Sequence, residues 1–307
     1  MKKFIIKVGL FFLIIAIIDV AFGFVMGKIS KQIDIGGTGR DNYICDKLTD
    51  DILVFGSSRA EHHYNAQMIS DSLGISCYNC GENGCGIILA YGRLLMLLER
   101  YKPKAIIYEV TPGFDYLAGK YDPHMNLYRL KQHYDRPGID SIFISIDPKE
   151  KYKMKSGMYR HNSSFLQNLI VYFSGTATDM GLKGFRPLKG ELDTMKLKED
   201  KKHYDSEKGY EYDTLKIYYL NKFVKEAKDT KLVFVMSPMW YGVDTLVLDT
   251  IKQLCKKENK RFLDFSNDTK YVHHNEYFKD GTHLNARGAD EFTKDLIEEL
   301  RKQKFLE

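Results

Sequence analysis

The feature that most limits how this chain can fold is an alternation. Ile52–Gly56 (ILVFG) is a short apolar run rich in β-forming residues, and a helical stretch follows it through Leu73. Ser76–Gly81 (SCYNCG) is a second strand candidate. Ile87–Tyr101 (IILAYGRLLMLLERY) has helical spacing with a strong apolar face, and Lys104–Pro112 (KAIIYEVTP) reads as a third strand ended by Pro112 and Gly113. After residue 205 the rhythm returns: helix in Tyr212–Asp229, strand in Lys231–Pro238, helix in Asp244–Asn259, strand in Arg261–Ser266, and a last helix from about Ala286 to Gln303. Strands that alternate with helices across short connections predict a mainly parallel sheet covered on both faces, a doubly wound three-layer α/β/α domain. Residues 115–205 hold no sustained period beyond short helical pieces such as Ser163–Phe173, and read as an insertion forming a cap or partner surface.

The N-terminus obeys a different constraint. From Phe4 to Met26 the chain is apolar except for Lys7 and Asp19, long enough as a helix to cross roughly 30 Å of hydrocarbon. Lys7 is near the end and can snorkel to the interface, whereas Asp19 is costly at depth. Lys2, Lys3 and Lys7 precede the run, which keeps the N-terminus cytoplasmic and sends the remainder across. The small residues of Val20–Gly23 leave a removed signal peptide as the rival reading. An uncleaved anchor is favoured, and in both cases the globular part is extracytoplasmic, in the periplasm or at the cell surface. The expected organisation is therefore a transmembrane or signal segment at 1–27, a polar linker at 28–50 containing GGTG, and an α/β domain at 51–307 with its insertion at about 115–205.

A chain of 307 residues can bury one large core, and 44% hydrophobic with 28% charged residues is ordinary for a globular protein. The net charge of +5 is spread along the sequence, so nothing argues for nucleic acid, which would show a clustered basic face. The 21 tyrosines suit carbohydrate or interface contacts, but they also fill cores. Lys149–Asn162 (KEKYKMKSGMYRHN) is either an anionic-glycan contact or, more simply, a solvated basic loop. Cys77, Cys80 and Cys85 lack a fourth zinc ligand at a finger-like distance, with only His62 and His63 nearby. Small buried thiols, or one oxidised pair, account for them better.

In open parallel sheets ligands bind beyond the C-terminal ends of the strands, so chemistry is sought just after them. Gly56, Ser57, Ser58 and Arg59 follow the first strand: the Gly permits a tight turn, and a Ser opening the next helix lies at its positive end, unless it merely caps that helix. Tyr78–Gly86 (YNCGENGCG) follows the second strand with glycines that let backbone N–H groups approach a ligand. A dinucleotide loop is a poor reading, because its glycines belong after the first strand, where the chain has GSSR. After the last strand, DGTHLNARG puts Asp280 and His283 on one turn. An unprotonated imidazole there can take the Ser proton while the carboxylate fixes its tautomer. Paired His62 and His63, a few residues beyond Ser58, could line the site, but read more simply as a polar helix face.

In these motifs the chain resembles the SGNH, or GDSL-type, hydrolase superfamily over roughly residues 52–113 and 214–303. The resemblance implies Ser58 as nucleophile in GSS, His283 as base and Asp280 as its partner in DGTHLNARG. From NCGENG it implies Gly84 as a donor of the oxyanion hole beside the N–H of Ser58. The family's Gly-x-Asn-Asp after the third strand is absent, the chain reading EVTPGFD there, and loss of such a donor costs about 10²–10³ in rate unless Arg59 or the insertion replaces it. Arg59 and Asn83 are the candidate substrate contacts. GSSR on an anchored extracytoplasmic protein looks like the divergent branches that accompany envelope acylation, similar to the DltD-like and alginate-acetylation-like members. Those act on envelope polymers with a membrane-bound O-acyltransferase as partner. The implied function is a serine-dependent acyl-ester hydrolase or O-acyltransferase on an acylated glycan, with no metal or organic cofactor. The alternative is a non-catalytic protein of the same fold that binds a polymer or an acyltransferase. A redox or metal protein built on the cysteines is a third reading.

Overall fold

The computed structural model describes residues 1–119, 127–196 and 209–306, so the parts of the expected insertion at 120–126 and 197–205 lie outside the described residues. In chain order the elements used below are helix α1 (Lys2–Gln32), β1 (Ile52–Phe55), α2 (Ser58–His63), α3 (Ala66–Leu73), β2 (Cys77–Asn79), α4 (Ile87–Leu98) and β3 (Ala105–Glu109). They continue with α5 (Ile139–Ile146), α6 (Gly157–His161), α7 (Phe165–Ser174), α8 (Thr214–Glu226), β4 (Lys231–Met236), α9 (Asp249–Lys257), β5 (Arg261–Asp264) and α10 (Ala286–Lys302). The chain divides into two compact units, Met1–Lys47 with Leu127–Asp179, and Leu48–Asn126 with Met180–Glu307.

The larger unit is built on a five-stranded sheet in the order β2-β1-β3-β4-β5, with every pairing parallel. This is the doubly wound, flavodoxin-like order, and its switch point falls between β1 and β3. Side chains alternate across the sheet as the two-residue period requires. Ile52, Val54, Ile107, Val233 and Val235 face one layer, where they join a core with Tyr64, Phe292 and Leu296 from α10 and the end of α2. Phe55, Tyr108 and Phe234 face the other, where Phe223 of α8 meets Phe55 and Tyr108 edge-on at 5.6 and 5.2 Å. All residues of β1 and β3 are buried, as strands covered on both sides must be.

The helix boundaries follow local chemistry. Asn65 accepts the N–H of Met68 at the start of α3, and Gly74 closes that helix in the left-handed conformation at φ 67°. Asp213 caps α8 through the N–H groups of Leu215 and Lys216, and Asn285 caps α10 through that of Gly288.

In the smaller unit α1 runs 31 residues, long and apolar enough to cross a membrane by length and composition. Residues 28–50, whose polarity reads as a linker, are folded. Helix α1 continues to Gln32, Gly36–Asn42 is helical, Tyr43–Lys47 forms a π-helical turn, and Arg40, Asp41 and Asn42 are buried. The reason is internal bonding that composition does not reveal. Asn42 Nδ2 donates to the carbonyls of Ser30 and Ile33 at 2.7 and 2.8 Å, and Arg129 reaches Asp41 at 3.2 Å. Lys149–Asn162 leaves Lys149, Lys151 and Lys155 exposed but is not a loop: it carries helices Glu150–Lys153 and α6, with Lys153 paired to Asp147 and Glu150 and the Tyr159 hydroxyl donating to Glu150.

Candidate active site

Gly56 ends β1 at φ +139°, where a Cβ would lie 2.7 Å from the Glu109 carbonyl and 2.9 Å from Ala60. Only glycine turns the chain there, and α2 then begins at Ser58. Ser57 takes the capping position without a side-chain capping bond, and the Ser58 hydroxyl goes elsewhere: its Oγ is 2.8 Å from Nε2 of His283. The rival reading of these serines as helix caps thus finds no capping bond. On the other edge of the imidazole, Nδ1 is 3.0 and 2.9 Å from Oδ1 and Oδ2 of Asp280. A carboxylate only accepts, so Nδ1 carries the proton and donates to Asp280, which leaves Nε2 free to accept from the Ser58 hydroxyl.

The loop that holds His283 is fixed by its own sequence. Asp280 Oδ1 accepts the backbone N–H groups of Thr282 and His283, both at 2.9 Å, and the Thr282 hydroxyl at 3.0 Å. Burial pushes the Asp280 carboxyl up, but its bonds to His283 and to these N–H groups outweigh that and hold it well below the usual carboxylate range. Asn285, besides capping α10, donates Nδ2 to the carbonyls of Glu276 and Phe278. At Gly288 a Cβ would fall 2.0 Å from the Tyr277 carbonyl, so the first turn of α10 lies directly against this loop. Asp280, Thr282, Asn285 and Gly288 of DGTHLNARG therefore each help to set this turn.

The loop after β2 is bound to α2. Glu82 donates its N–H to the Gly56 carbonyl at 3.1 Å, and Asn83 donates its N–H to Glu61 Oε2 at 3.0 Å. Gly81 packs so closely that a Cβ would meet Ala60 and the Glu61 nitrogen at 2.6 Å, and Gly84 is left-handed at φ +74°. This places the NCGENG loop beside the turn that presents Ser58. Asn83 enters these bonds through its backbone.

Arg59 does not face outward beside Ser58. Its guanidinium is buried 2.7 Å from Glu109 Oε1 and donates Nη2 to the Ser237 hydroxyl at 2.9 Å. A buried cation needs a buried partner, and Glu109 at the end of β3 supplies it. Burial pushes the Glu109 carboxyl up, opposed by the charge of Arg59 and by hydrogen bonds from Tyr64 and Ser237. His62 and His63 are not a solvated face either. His63 is fully buried, with Nδ1 2.8 Å from the Ser237 hydroxyl and Nε2 accepting the N–H of Leu284 at 2.9 Å. His62 places Nδ1 2.6 Å from the Arg186 carbonyl, and its ring lies edge-on to His283 at 5.9 Å. Burial lowers the pKa of both rings, most strongly for His63, where the charge of Arg59 adds to it.

Glu109 and Ser237, the hub of this buried network, went unnoticed in the sequence. The available signal was a carboxylate inside the apolar run AIIYEV and a Ser directly after β4, both at strand ends where sites form. All five cysteines are buried, and burial raises the Cys77 thiol pKa well above its ordinary value. Among the described residues no group of three or more His, Cys, Asp or Glu is placed to hold a metal ion.

No family model matches the chain, and no curated protein matches it. Among solved structures it is similar to a GDSL-like lipase from Bacteroides thetaiotaomicron VPI-5482, at 12% identity and TM-score 0.38, over 85% of this chain and 97% of that one. It is also similar to the acetyl xylan esterase Est2A from the rumen bacterium Butyrivibrio proteoclasticus, at 9% identity and TM-score 0.35, over 83% of this chain and 64% of that one. At such identities and scores neither superposition assigns an activity to this chain.

Proposed function

We propose that the chain is a serine-dependent acyl-ester hydrolase or O-acyltransferase of the SGNH type, acting on an acylated cell-envelope glycan from a membrane-anchored, extracytoplasmic position. The observation that carries the reading is the line of hydrogen bonds from Ser58 Oγ, just after β1, through His283 to Asp280, in the loop before α10. In the reaction Ser58 Oγ attacks the acyl carbonyl carbon as its proton passes to His283 Nε2, and Asp280 stabilises the imidazolium. The N–H groups of Ser58 and Gly84 hold the oxyanion. The tetrahedral intermediate collapses, the leaving alcohol takes the proton from His283, and the acyl group stays on Ser58. Water, or a sugar hydroxyl, then gives its proton to His283 and attacks the acyl carbon. As that intermediate collapses, Ser58 Oγ leaves with the proton from His283, and the acid or the new ester departs. In a branch coupled to envelope acylation a membrane-bound O-acyltransferase would be the partner.

The test is covalent labelling of the full chain by a fluorophosphonate, with turnover of p-nitrophenyl acetate measured in parallel. Labelling is expected to vanish in Ser58→Ala and turnover to vanish in His283→Ala. Undiminished labelling of Ser58→Ala would remove that residue from its role. An inert wild-type chain would favour the non-catalytic reading of the fold.

A further inference from the structure

In the smaller unit, helix α7 leaves large apolar side chains exposed. Its sequence, FLQNLIVYFS, contains no charged residue. Its buried residues are Asn168 and Val171, and Asn168 donates Nδ2 to the Ser30 hydroxyl at 3.0 Å and accepts from Thr38 at 2.7 Å. Leu166, Ile170 and Phe173, spaced along the opposite side, are 61, 49 and 79% exposed. A helix without charge that bonds its Asn inward and shows large apolar side chains outward suits lipid better than water.

The depth of its neighbour on α1 is set by length. At 1.5 Å per residue about 20 residues cross the hydrocarbon layer, so a span that begins at Phe4 ends near Gly23. Asp19 is then about one turn inside the boundary, where an unpartnered carboxylate is expensive. It is fully engaged there: its oxygens accept the Ser156 hydroxyl at 2.7 Å and the N–H groups of Gly157 and Met158 at 2.9 and 2.8 Å. At the same level Gly23 and Gly157 touch so closely that a Cβ on Gly23 would meet the Gly157 Cα at 2.8 Å, and Phe22 meets Phe165 edge-on at 5.9 Å. Groups held against α1 at that depth share its surroundings. Slightly further along α1, Gly27, Lys28 and Lys31 line a cleft of about 760 Å³ with Arg136 and Arg160, which suits the headgroup layer.

We infer that helix α7, with Met158 at the start of α6, is embedded in the lipid leaflet that surrounds the C-terminal part of α1. Residues 127–179 are then a monotopic membrane element and the chain is held by more than one helix. The inference rests on reading α1 as a retained anchor, and its test separates the two. The full chain, which has a single Trp, is reconstituted in phosphatidylcholine vesicles whose acyl chains carry bromine. Leu166→Trp, Phe173→Trp and, on α1, Phe11→Trp are each compared with the wild-type emission as baseline. Bromine is expected to quench most of the emission added by all three substitutions. Quenching at position 11 with none at 166 and 173 would overturn the inference and leave the anchor standing. Absence of quenching at all three would overturn both.

Discussion

The backbone N–H of Leu284 ends on Nε2 of His63 at 2.9 Å, which joins the residue after His283 to the helix that begins at Ser58. The placement of His283 beside Ser58 is therefore tied to a buried imidazole, whose ring also lies edge-on to that of His283 at 6.2 Å. Replacing His63 by Phe leaves the Leu284 N–H unbonded in the core, at a cost of about 1–3 kcal/mol in stability. It also loosens the placement of His283, and turnover of p-nitrophenyl acetate is expected to fall about 10–100-fold. His63→Gln, which keeps an acceptor, should lose less of both. Thermal melts in detergent beside steady-state kinetics check this, and equal losses in the two variants would contradict it.

Because His63 is held neutral, acid should destabilise the fold. Its pKa is depressed first by burial and then by Arg59, while an unfolded His titrates near 6.5. Below that pH the unfolded chain binds a proton that the folded chain refuses. Stability present above about pH 6.5 is then lost as the pH falls, by about 1.4 kcal/mol per pH unit for each such ring. His62, also depressed by burial, adds in the same direction. The melting temperature should drop between about pH 7.5 and about pH 5.5, and less steeply in His63→Gln. An identical slope in that variant would remove His63 as the cause.

Asp280→Asn separates positioning from folding. The amide keeps an oxygen for the N–H groups of Thr282 and His283, so the melting temperature should change little. It can also donate to Nδ1, which allows the wrong imidazole tautomer, and kcat is expected to fall by about 10³–10⁴. Unchanged kcat would mean that Asp280 only shapes the turn.

The buried pair Arg59–Glu109 should behave asymmetrically. Glu109→Gln leaves a buried guanidinium uncompensated and is expected to cost about 3–5 kcal/mol. Replacing both partners by apolar residues, Arg59→Met with Glu109→Leu, should recover much of that. Urea unfolding of the single and double variants measures it, and a double variant no better than the single would count against the ion pair as the source.

The α/β layering was legible because strand and helix periods differ and the strands are short and apolar: all five candidates became β1 to β5. The Asp280–His283 turn was legible because the spacing D-G-T-H is local. What was not legible depends on distant partners. Arg59 beside Ser58 reads as a ligand contact until Glu109, 50 positions away, is seen to neutralise it inside the protein. His63 reads as a polar face until Ser237 and Leu284 arrive on its two nitrogens. Residues 28–50 read as a tether because many of their bonding partners lie far along the chain, as with Asp41 and Arg129, 88 positions apart.

Ser237 meets Arg59, His63 and Glu109 through one hydroxyl. Such a hub ties the evolutionary fate of four positions together. In related chains an altered residue at any of them should be accompanied by changes at the others, so that the quartet is inherited or replaced as a set and drifts more slowly than the helices around it.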